Sequence, residues 1–309
     1  MRNQRYHQSD SSISEHARHL YDPALAEGRI TQKDADLIRE FINDLAGHIS
    51  PTREYKLTSS LILNREFFPE YSTITTSEAQ EGIRNLLTAV KPDGTDRFKK
   101  NTKTDRVRVA KRFFLWLCDN GYGENINEKK IHKIAVPAPD RMTKTAEDIL
   151  SKEEIEKILR QATNSRDRAL VCTLYEGGLR GRELSELTWG DIQFTSWNVV
   201  LNTAGKTGKP RRIPCVMSLP YLAAWKNDYP GKITPSAYVF VGLHKDRKTG
   251  EYLPLSYSNV SFRLKKLAAD AGIEKPISTH TFRHSRVTHL LTDRMPESFV
   301  KRLMWGNQE

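Results

Sequence analysis

Cysteine is scarce in this sequence, and long apolar runs are absent. The three cysteines, Cys118, Cys172 and Cys215, are far apart and form no CxxC pair, which argues against a zinc site or a disulfide framework and fits a reducing compartment. The longest apolar run, FFLWLC at 113–118, is far too short to span a bilayer, and the N-terminus holds no apolar signal core. We therefore expect a cytoplasmic protein with no membrane partner.

Basic residues are in clear excess. The 309 residues include 49 Lys and Arg against 38 Asp and Glu, which gives a net charge of +11. This sign favours a polyanionic partner, most often nucleic acid, although many basic proteins bind none. An aromatic content of 9% indicates folded cores rather than disorder, and the length leaves room for two domains.

Helical patterns dominate the first half of the chain. Residues 1–15 are polar and are expected to be disordered. Residues 131–148 contain prolines and many charges without periodicity, which predicts an interdomain linker. The sequence therefore predicts a helical domain at 1–130 and a second domain at 149–309. The helices predicted in the first domain lie at about 31–47, 52–66, 76–90 and 102–121.

The second half combines helical and strand patterns. The sequences WNVVLNT and PRRIPC flank a glycine-containing turn, which predicts a β-hairpin, and AYVFVG at 237–242 is a third candidate strand. Ser151 and Glu154 are spaced as a capping box that opens a helix. The fold class is therefore mainly α with a small β-sheet. Further helices are predicted at about 166–176, 256–271, 279–292 and 297–304.

The chain is unusually basic between Lys91 and Arg112. A run of this kind is either a solvated helix face or a surface that contacts DNA, and the sequence leaves both readings open. The candidate DNA-binding residues are Lys99, Lys100, Lys103, Arg106, Arg108, Lys111 and Arg112.

The stretch STHTFRHSRVTHLL at 278–291 raises the question of a site. At about 100° per residue, Val287, Leu290 and Leu291 form one apolar stripe of a helix. His280 and Arg283 lie on the same side as that stripe, whereas Arg286 and His289 point elsewhere. An unpaired cation that faces the interior is costly, so this arrangement indicates a site in a cleft. The alternative is a basic helix end whose spacing is accidental.

Two further stretches place cations in turns. In EGGLRGRELSELTWGDI, at 176–192, Arg180 begins a helix, where a guanidinium can bind an anion, and Glu183 lies one turn later, where it can orient an arginine. In TAGKTGKPRRIPC, at 203–215, Lys206 lies in the hairpin turn. Each stretch taken alone is also explained by a surface arginine or by an ordinary turn lysine.

In this order, GLRGREL, GKTGKPRRIP and HTFRH resemble the motifs of the tyrosine recombinase family, which includes phage-type integrases and Xer-type resolvases. The resemblance is strong over 150–309 and extends to about residue 30 by architecture only. It implies a helical, SAM-like core-binding domain followed by an α+β catalytic domain. The sequence WGN at 305–307 is similar to versions in archaeal integrases, which suggests a mobile element of archaeal or bacterial origin.

The resemblance implies DNA strand cleavage and rejoining through a 3′-phosphotyrosine, without metal or cofactor. The two arginines would hold the non-bridging phosphate oxygens, the lysine would protonate the leaving 5′-oxygen, and the histidine would assist proton transfer or bind the phosphate. No carboxylate cluster with metal-ligand spacing accompanies them, which argues against a metal nuclease. The candidate catalytic residues are Arg180, Lys206, His280, Arg283 and Asn307, with Glu183 and Trp305 in support.

The implied partner is double-stranded DNA, bound by a homotetramer in the active synapse, so we expect a nucleoid-associated protein. The family's nucleophilic tyrosine would follow shortly after Asn307, whereas the sequence ends at Glu309. The last tyrosines present, Tyr252 and Tyr257, do not lie in a family-like nucleophile context. The chain is therefore expected to bind DNA without cleaving it.

Three explanations of the missing nucleophile stay open: a C-terminus that was cut, a tail absent from this sequence, or a naturally short product that is inactive or uses a neighbouring protomer's tyrosine. The alternative functions are a non-catalytic DNA-binding relative of the family and a basic nuclease of unrelated mechanism. Whether the protein has a nucleophile that forms a covalent adduct with DNA distinguishes these functions from the recombinase.

Overall fold

The computed structural model describes residues 19–140, 146–204 and 210–306. The described residues up to 140 form one compact unit, and those from 146 onward form a second. Each unit has a hydrophobic core of its own. None of the helices in these ranges is long and apolar enough to cross a membrane.

The N-terminal unit is built from helices. The four predicted helices form within a few residues of their expected ends, and the boxes of Thr31 with Asp34 and of Thr75 with Glu78 fix two of their starts. The helices are α1 (Tyr21–Ala26), α2 (Gln32–Asp44), α3 (Pro51–Asn64), α4 (Thr76–Thr88), α5 (Lys100–Asp119) and α6 (Glu128–His132).

The predicted linker starts too early. Ile131 lies in α6 and is completely buried, and Ile134 and Val136 pack against the same core. The Lys111 ammonium also donates hydrogen bonds to the carbonyl oxygens of His132 and Ile134, at 2.7 and 2.9 Å. These apolar residues are separated by many charged ones, and the composition of the stretch therefore resembles that of a linker.

The C-terminal unit surrounds a three-stranded antiparallel sheet with helices. The predicted hairpin is confirmed, with Val199 paired to Cys215 and Ala204 paired to Pro210. The predicted helices are also found, and the capping box of Ser151 with Glu154 is present. The strands are β1 (Ile192–Phe194), β2 (Val199–Ala204) and β3 (Pro210–Cys215), in the order β1-β2-β3. The helices are α7 (Lys152–Gln161), α8 (Ser165–Glu176), α9 (Gly181–Ser185), α10 (Ser218–Asn227), α11 (Tyr257–Asp270), α12 (Thr279–Thr292) and α13 (Glu297–Trp305).

The third strand is not the one predicted. Val239, Phe240 and Val241 of AYVFVG are buried, but the segment makes only isolated bridges, whereas β1, with three residues, completes the sheet. The backbone of Val239 forms its hydrogen bonds without a neighbouring strand. Its N–H donates to the Leu187 carbonyl, and its carbonyl accepts from the Trp225 indole N–H. A short apolar run thus marks buried chain without revealing which partners satisfy its backbone.

Candidate active site

Arg180 and Glu183 form one unit at the start of α9. Arg180 is the N-cap residue, and the Glu183 carboxylate accepts hydrogen bonds from its backbone N–H and from its Nη1, both at 2.7 Å. The Arg180 side chain stays 27% exposed, whereas that of Glu183 is 6% exposed. Glu183 therefore orients a guanidinium that still faces solvent, as the sequence predicts.

Arg283 lies inside the protein, in the second turn of α12. Its Nη1 donates to the Gly178 carbonyl and its Nη2 to the Met304 carbonyl, and its guanidinium carbon is 5.3 Å from the centre of a Trp305 ring. Burial lowers the pKa of Arg283 to about 10, with the charges of Arg211 and Arg180 acting in the same direction. Arg283 is thus a cation near neutral pH, close to two others.

Arg211 is the residue of this cluster that the sequence analysis missed. It lies in β3 and is buried, with Nη2 donating to the Glu183 carboxylate and Nη1 donating to the Met304 carbonyl at 2.8 Å. Its position in PRRIPC was a usable signal, because β3 alternates and places Arg211 inward together with Ile213 and Cys215. A cation at an inward strand position needs a partner, and that partner is Glu183.

The Glu183 carboxyl is ionised in this cluster. Burial alone would raise its pKa, but the N–H of Arg180 and the charges of Arg211 and Arg180 outweigh burial and keep the pKa below its ordinary value. One buried carboxylate therefore binds two arginines from different elements.

Two glycines allow the elements of the site to approach one another. Gly178 has φ of 53°, and a Cβ there would lie 2.6 Å from the Met304 sulfur. A Cβ at Gly181 would lie 2.3 Å from a ring carbon of Tyr257 and 2.9 Å from the Thr279 Oγ1. The turn between α8 and α9 thus fits against α13, and α9 fits against the starts of α11 and α12.

The predicted orientation of His280 is wrong in part. Arg283 faces the interior as expected, but His280 is exposed, with its ring centre 6.5 Å from that of His284. Positions three apart on a helix differ by about 60°, which is enough to place one residue inside and the other at the surface. His280 is thus placed to meet a ligand that arrives from solvent.

Arg286 and His289, which were predicted to lie off the apolar stripe, also contact the protein. The Arg286 Nε donates to the Glu176 carbonyl at 3.2 Å, and the Tyr175 hydroxyl lies 2.8 Å from the His289 Nδ1. Leu291, expected in the apolar stripe, is 43% exposed. The face of α12 that contacts α8 is therefore more polar than the leucines suggest.

Stability should depend on pH through His289. Burial lowers the pKa of His289, and the charges of Lys152 and Arg286 add to this despite the opposing charge of Asp293. The folded state disfavours the protonated ring, so the unfolded chain binds more protons below about pH 6.5, and stability falls as the pH falls through that window. Between about pH 7 and about pH 5, the urea midpoint should drop less in His289→Gln than in the wild type. Exposed His48, changed to Gln, is the control, and equal drops in all three proteins would refute the assignment.

Two candidate residues lie outside the described residues. Lys206 falls between Ala204 and Pro210 in the sequence, and Asn307 follows Gly306. Their assignments remain predictions, as does the expected disorder of residues 1–15.

Some candidate DNA-binding residues of the N-terminal unit contact the unit itself, and others are exposed. Lys103 pairs with Asp96 at 3.0 Å, the Arg106 guanidinium lies 4.2 Å from the centre of the Phe98 ring, and Lys111 binds backbone carbonyls. These three stabilise the unit itself. Among the seven candidate DNA-binding residues, the exposed ones are Lys99, Lys100, Arg108 and Arg112, of which Arg108 also pairs with Asp105.

In the ranges the structure describes, no group of three or more His, Cys, Asp or Glu side chains is arranged to hold a metal ion. The cluster is instead one of three arginines around a carboxylate and two backbone carbonyls.

The comparison with known families identifies the chain. The model of the phage integrase family matches residues 148–306, more than half of the chain. The chain belongs to the phage integrase family of tyrosine recombinases. This confirms the family predicted from the three motifs, and the match contains Arg180, Arg283 and Glu183.

Curated members of the phage integrase family show the same relationship. The chain is 30% identical over 192 residues to tyrosine recombinase XerC of Xanthomonas campestris pv. campestris (strain B100), with 60% of this chain and 54% of that protein covered. It is 31% identical over 229 residues to tyrosine recombinase XerA of Thermococcus onnurineus (strain NA1), with 74% and 73% covered. The chain thus spans about half the length of the XerC relative.

Solved structures share the fold. A lambda integrase tetramer bound to a Holliday junction matches with a TM-score of 0.67 at 17% identity, covering 93% of this chain and 82% of that one. A lambda integrase(75–356) dimer bound to a COC′ core site matches with a TM-score of 0.65 at 17% identity, covering 89% and 95%. These neighbours confirm the predicted fold class, mainly α with an α+β catalytic domain.

Proposed function

We propose that the chain is the DNA-binding and catalytic part of a site-specific recombinase that cleaves and rejoins strands through a 3′-phosphotyrosine, without metal or cofactor. The observation that carries this proposal is the joining of Arg180 and Arg283 through Glu183, Arg211 and the Met304 carbonyl. Two fixed guanidiniums suit the non-bridging oxygens of a phosphodiester, where negative charge increases in the transition state.

The remaining roles follow from the chemistry of the side chains. Lys206 protonates the leaving 5′-oxygen as general acid. His280, exposed at the first turn of α12, binds the phosphate or assists proton transfer. Asn307 donates a hydrogen bond and cannot act as an acid, and Trp305 supports Arg283 through its ring.

The proposed partner is duplex DNA held by a homotetramer. The solved neighbours include a dimer on a core site and a tetramer on a Holliday junction, and the fold of this chain matches both. The exposed residues of the basic run in the N-terminal unit, with the net charge of +11, provide phosphate contacts. Such a protein works at the nucleoid.

A non-catalytic DNA-binding relative is the alternative. A protein that only holds DNA obtains its affinity from exposed cations and does not need a buried, oriented set of arginines around a carboxylate. The arginine cluster around Glu183 therefore favours a catalytic protein over one that only binds DNA.

We propose further that the nucleophilic tyrosine is not among these 309 residues. The Lys245 ammonium lies 5.8 Å from the centre of the Tyr252 ring, and the ring of Tyr257 packs against Gly181. On a nicked suicide duplex in EDTA, the 309-residue chain should retard DNA in a native gel and yield no covalent adduct in a denaturing gel. An adduct that maps to Tyr257 would show that the nucleophile lies in α11. DNA that is not retarded would show that the chain does not bind DNA.

A further inference from the structure

Arg211 makes two sets of contacts at once. Its side chain is 1% exposed, with one guanidinium nitrogen on the Glu183 carboxylate and another 2.8 Å from the Met304 carbonyl oxygen and 3.4 Å from that of Leu303. Glu183 also binds Arg180, and the Met304 carbonyl also accepts from Arg283. Arg211 is therefore bound to both acceptors that fix the two candidate phosphate-binding arginines.

The Met304 carbonyl belongs to the last turn of α13, where backbone carbonyls lack partners within the helix and carry partial negative charge. Arg211 and Arg283 supply the missing donors. This contact sets the position of Trp305, whose ring lies beside Arg283, and of the chain that leads to Asn307. Arg211 thus also connects β3 to the end of α13.

We infer that Arg211 is a positioning residue that fixes Arg180, Arg283 and the end of α13 relative to one another. The inference rests on the proposed function, because the positions of these arginines matter only if they bind a phosphate during strand cleavage. Arg211 is too buried to meet a DNA phosphate, so it acts through Glu183 and the Met304 carbonyl. A planar guanidinium reaches both acceptors at once, whereas a lysine ammonium is a single point charge.

The first test measures position without requiring cleavage. Phenylglyoxal modifies accessible arginines, and mass spectrometry reports each site in the 309-residue chain. Arg211→Lys should raise the modification rates of Arg180 and Arg283 by about tenfold, because the contacts that close the cluster are lost. Arg166, buried in the same unit on a separate carboxylate, should keep its rate.

The matched control is Arg212→Lys, since Arg212 is the next residue of β3 and is exposed on its other face. If Arg166 accelerates as much as Arg180 and Arg283, Arg211 only stabilises the unit and the inference is wrong. Unchanged rates at Arg180 and Arg283 also overturn it. If Arg211→Lys does not fold, Glu183→Gln tests the same link from its other end through the rate at Arg283, because the amide weakens the contact with Arg211 and Glu183 does not itself contact Arg283.

The second test measures chemistry in a form of the chain that carries a nucleophile. At saturating DNA, Arg211→Lys should slow strand cleavage by about 10²-fold, as expected for a misplacement near 1 Å, with DNA affinity nearly unchanged. In an Arg180→Ala background the same change should cost much less, because Arg211 acts partly through Arg180. Cleavage at the normal rate contradicts the inference. If the form that carries a nucleophile and keeps Arg211 cleaves nothing, the result counts against the proposed function, while the modification rates still decide the position of the arginines.

Discussion

DNA affinity should fall about 10³- to 10⁵-fold when salt rises from about 50 to about 200 mM, as expected for roughly 6–10 phosphate contacts. The reason is the net charge of +11 and the exposed part of the basic run, because each neutralised phosphate releases counterions. Fluorescence anisotropy with a labelled duplex at several salt concentrations measures the slope directly. An affinity that hardly changes over this range would remove the electrostatic account of binding.

The contacts of the run sharpen this expectation. Lys99→Gln removes an exposed charge and should reduce the slope of log affinity against log salt by about 0.9. Lys111→Gln removes a charge whose ammonium binds the carbonyls of His132 and Ile134, so it should leave the slope unchanged. A larger loss for Lys111 than for Lys99 would mean that DNA binding rearranges this unit.

Strand cleavage should fall at least about 10²-fold in Arg180→Ala or Arg283→Ala, by analogy with the loss of one oxyanion donor. The assay needs a form of the chain that carries a nucleophile, with single-turnover cleavage measured at saturating DNA. DNA affinity should fall far less, because many other phosphate contacts remain. Arg182→Ala is the matched control, since Arg182 lies in the same short helix with its side chain 71% exposed.

The prediction is tested separately for Arg180 and Arg283. If a variant cleaves at the normal rate, the residue changed in it is not part of the active site. Unfolding of Arg283→Ala would instead indicate a structural cation, because its guanidinium also satisfies the Gly178 and Met304 carbonyls. Circular dichroism of each variant distinguishes these two outcomes.

Elements with strong periodicity or caps could be predicted from the sequence. Four helices of the N-terminal unit and the hairpin of β2 and β3 could be predicted because their apolar residues repeat at the periods of a helix and a strand, whereas the short helices α1 and α6 were not predicted. AYVFVG was misread because a buried apolar run has no period that distinguishes a ladder from extended chain. β1 was missed because three residues are too few to show an alternation.

The sequence displays the motifs of the arginine cluster but not the contacts that connect them. Arg180, Glu183 and Arg283 lie in motifs that the sequence displays, and Glu183 orients an arginine as expected. Arg211 was missed because its partners come from α9 and α13, far away in the chain. Helical angles placed His280 and Arg283 together, although only neighbouring elements decide which of them is covered.

We expect the cluster of Arg180, Arg211 and Arg283 around Glu183 to support phosphoryl transfer from DNA to a tyrosine without a metal. The most direct test incubates a form of the chain that carries a nucleophilic tyrosine with a nicked suicide duplex in EDTA. We expect an adduct that survives denaturation and joins the DNA 3′-phosphate to that tyrosine, and we expect its loss when the tyrosine is changed to Phe. No adduct from this form, or cleavage that appears only with added Mg²⁺, would contradict metal-free transfer to a tyrosine.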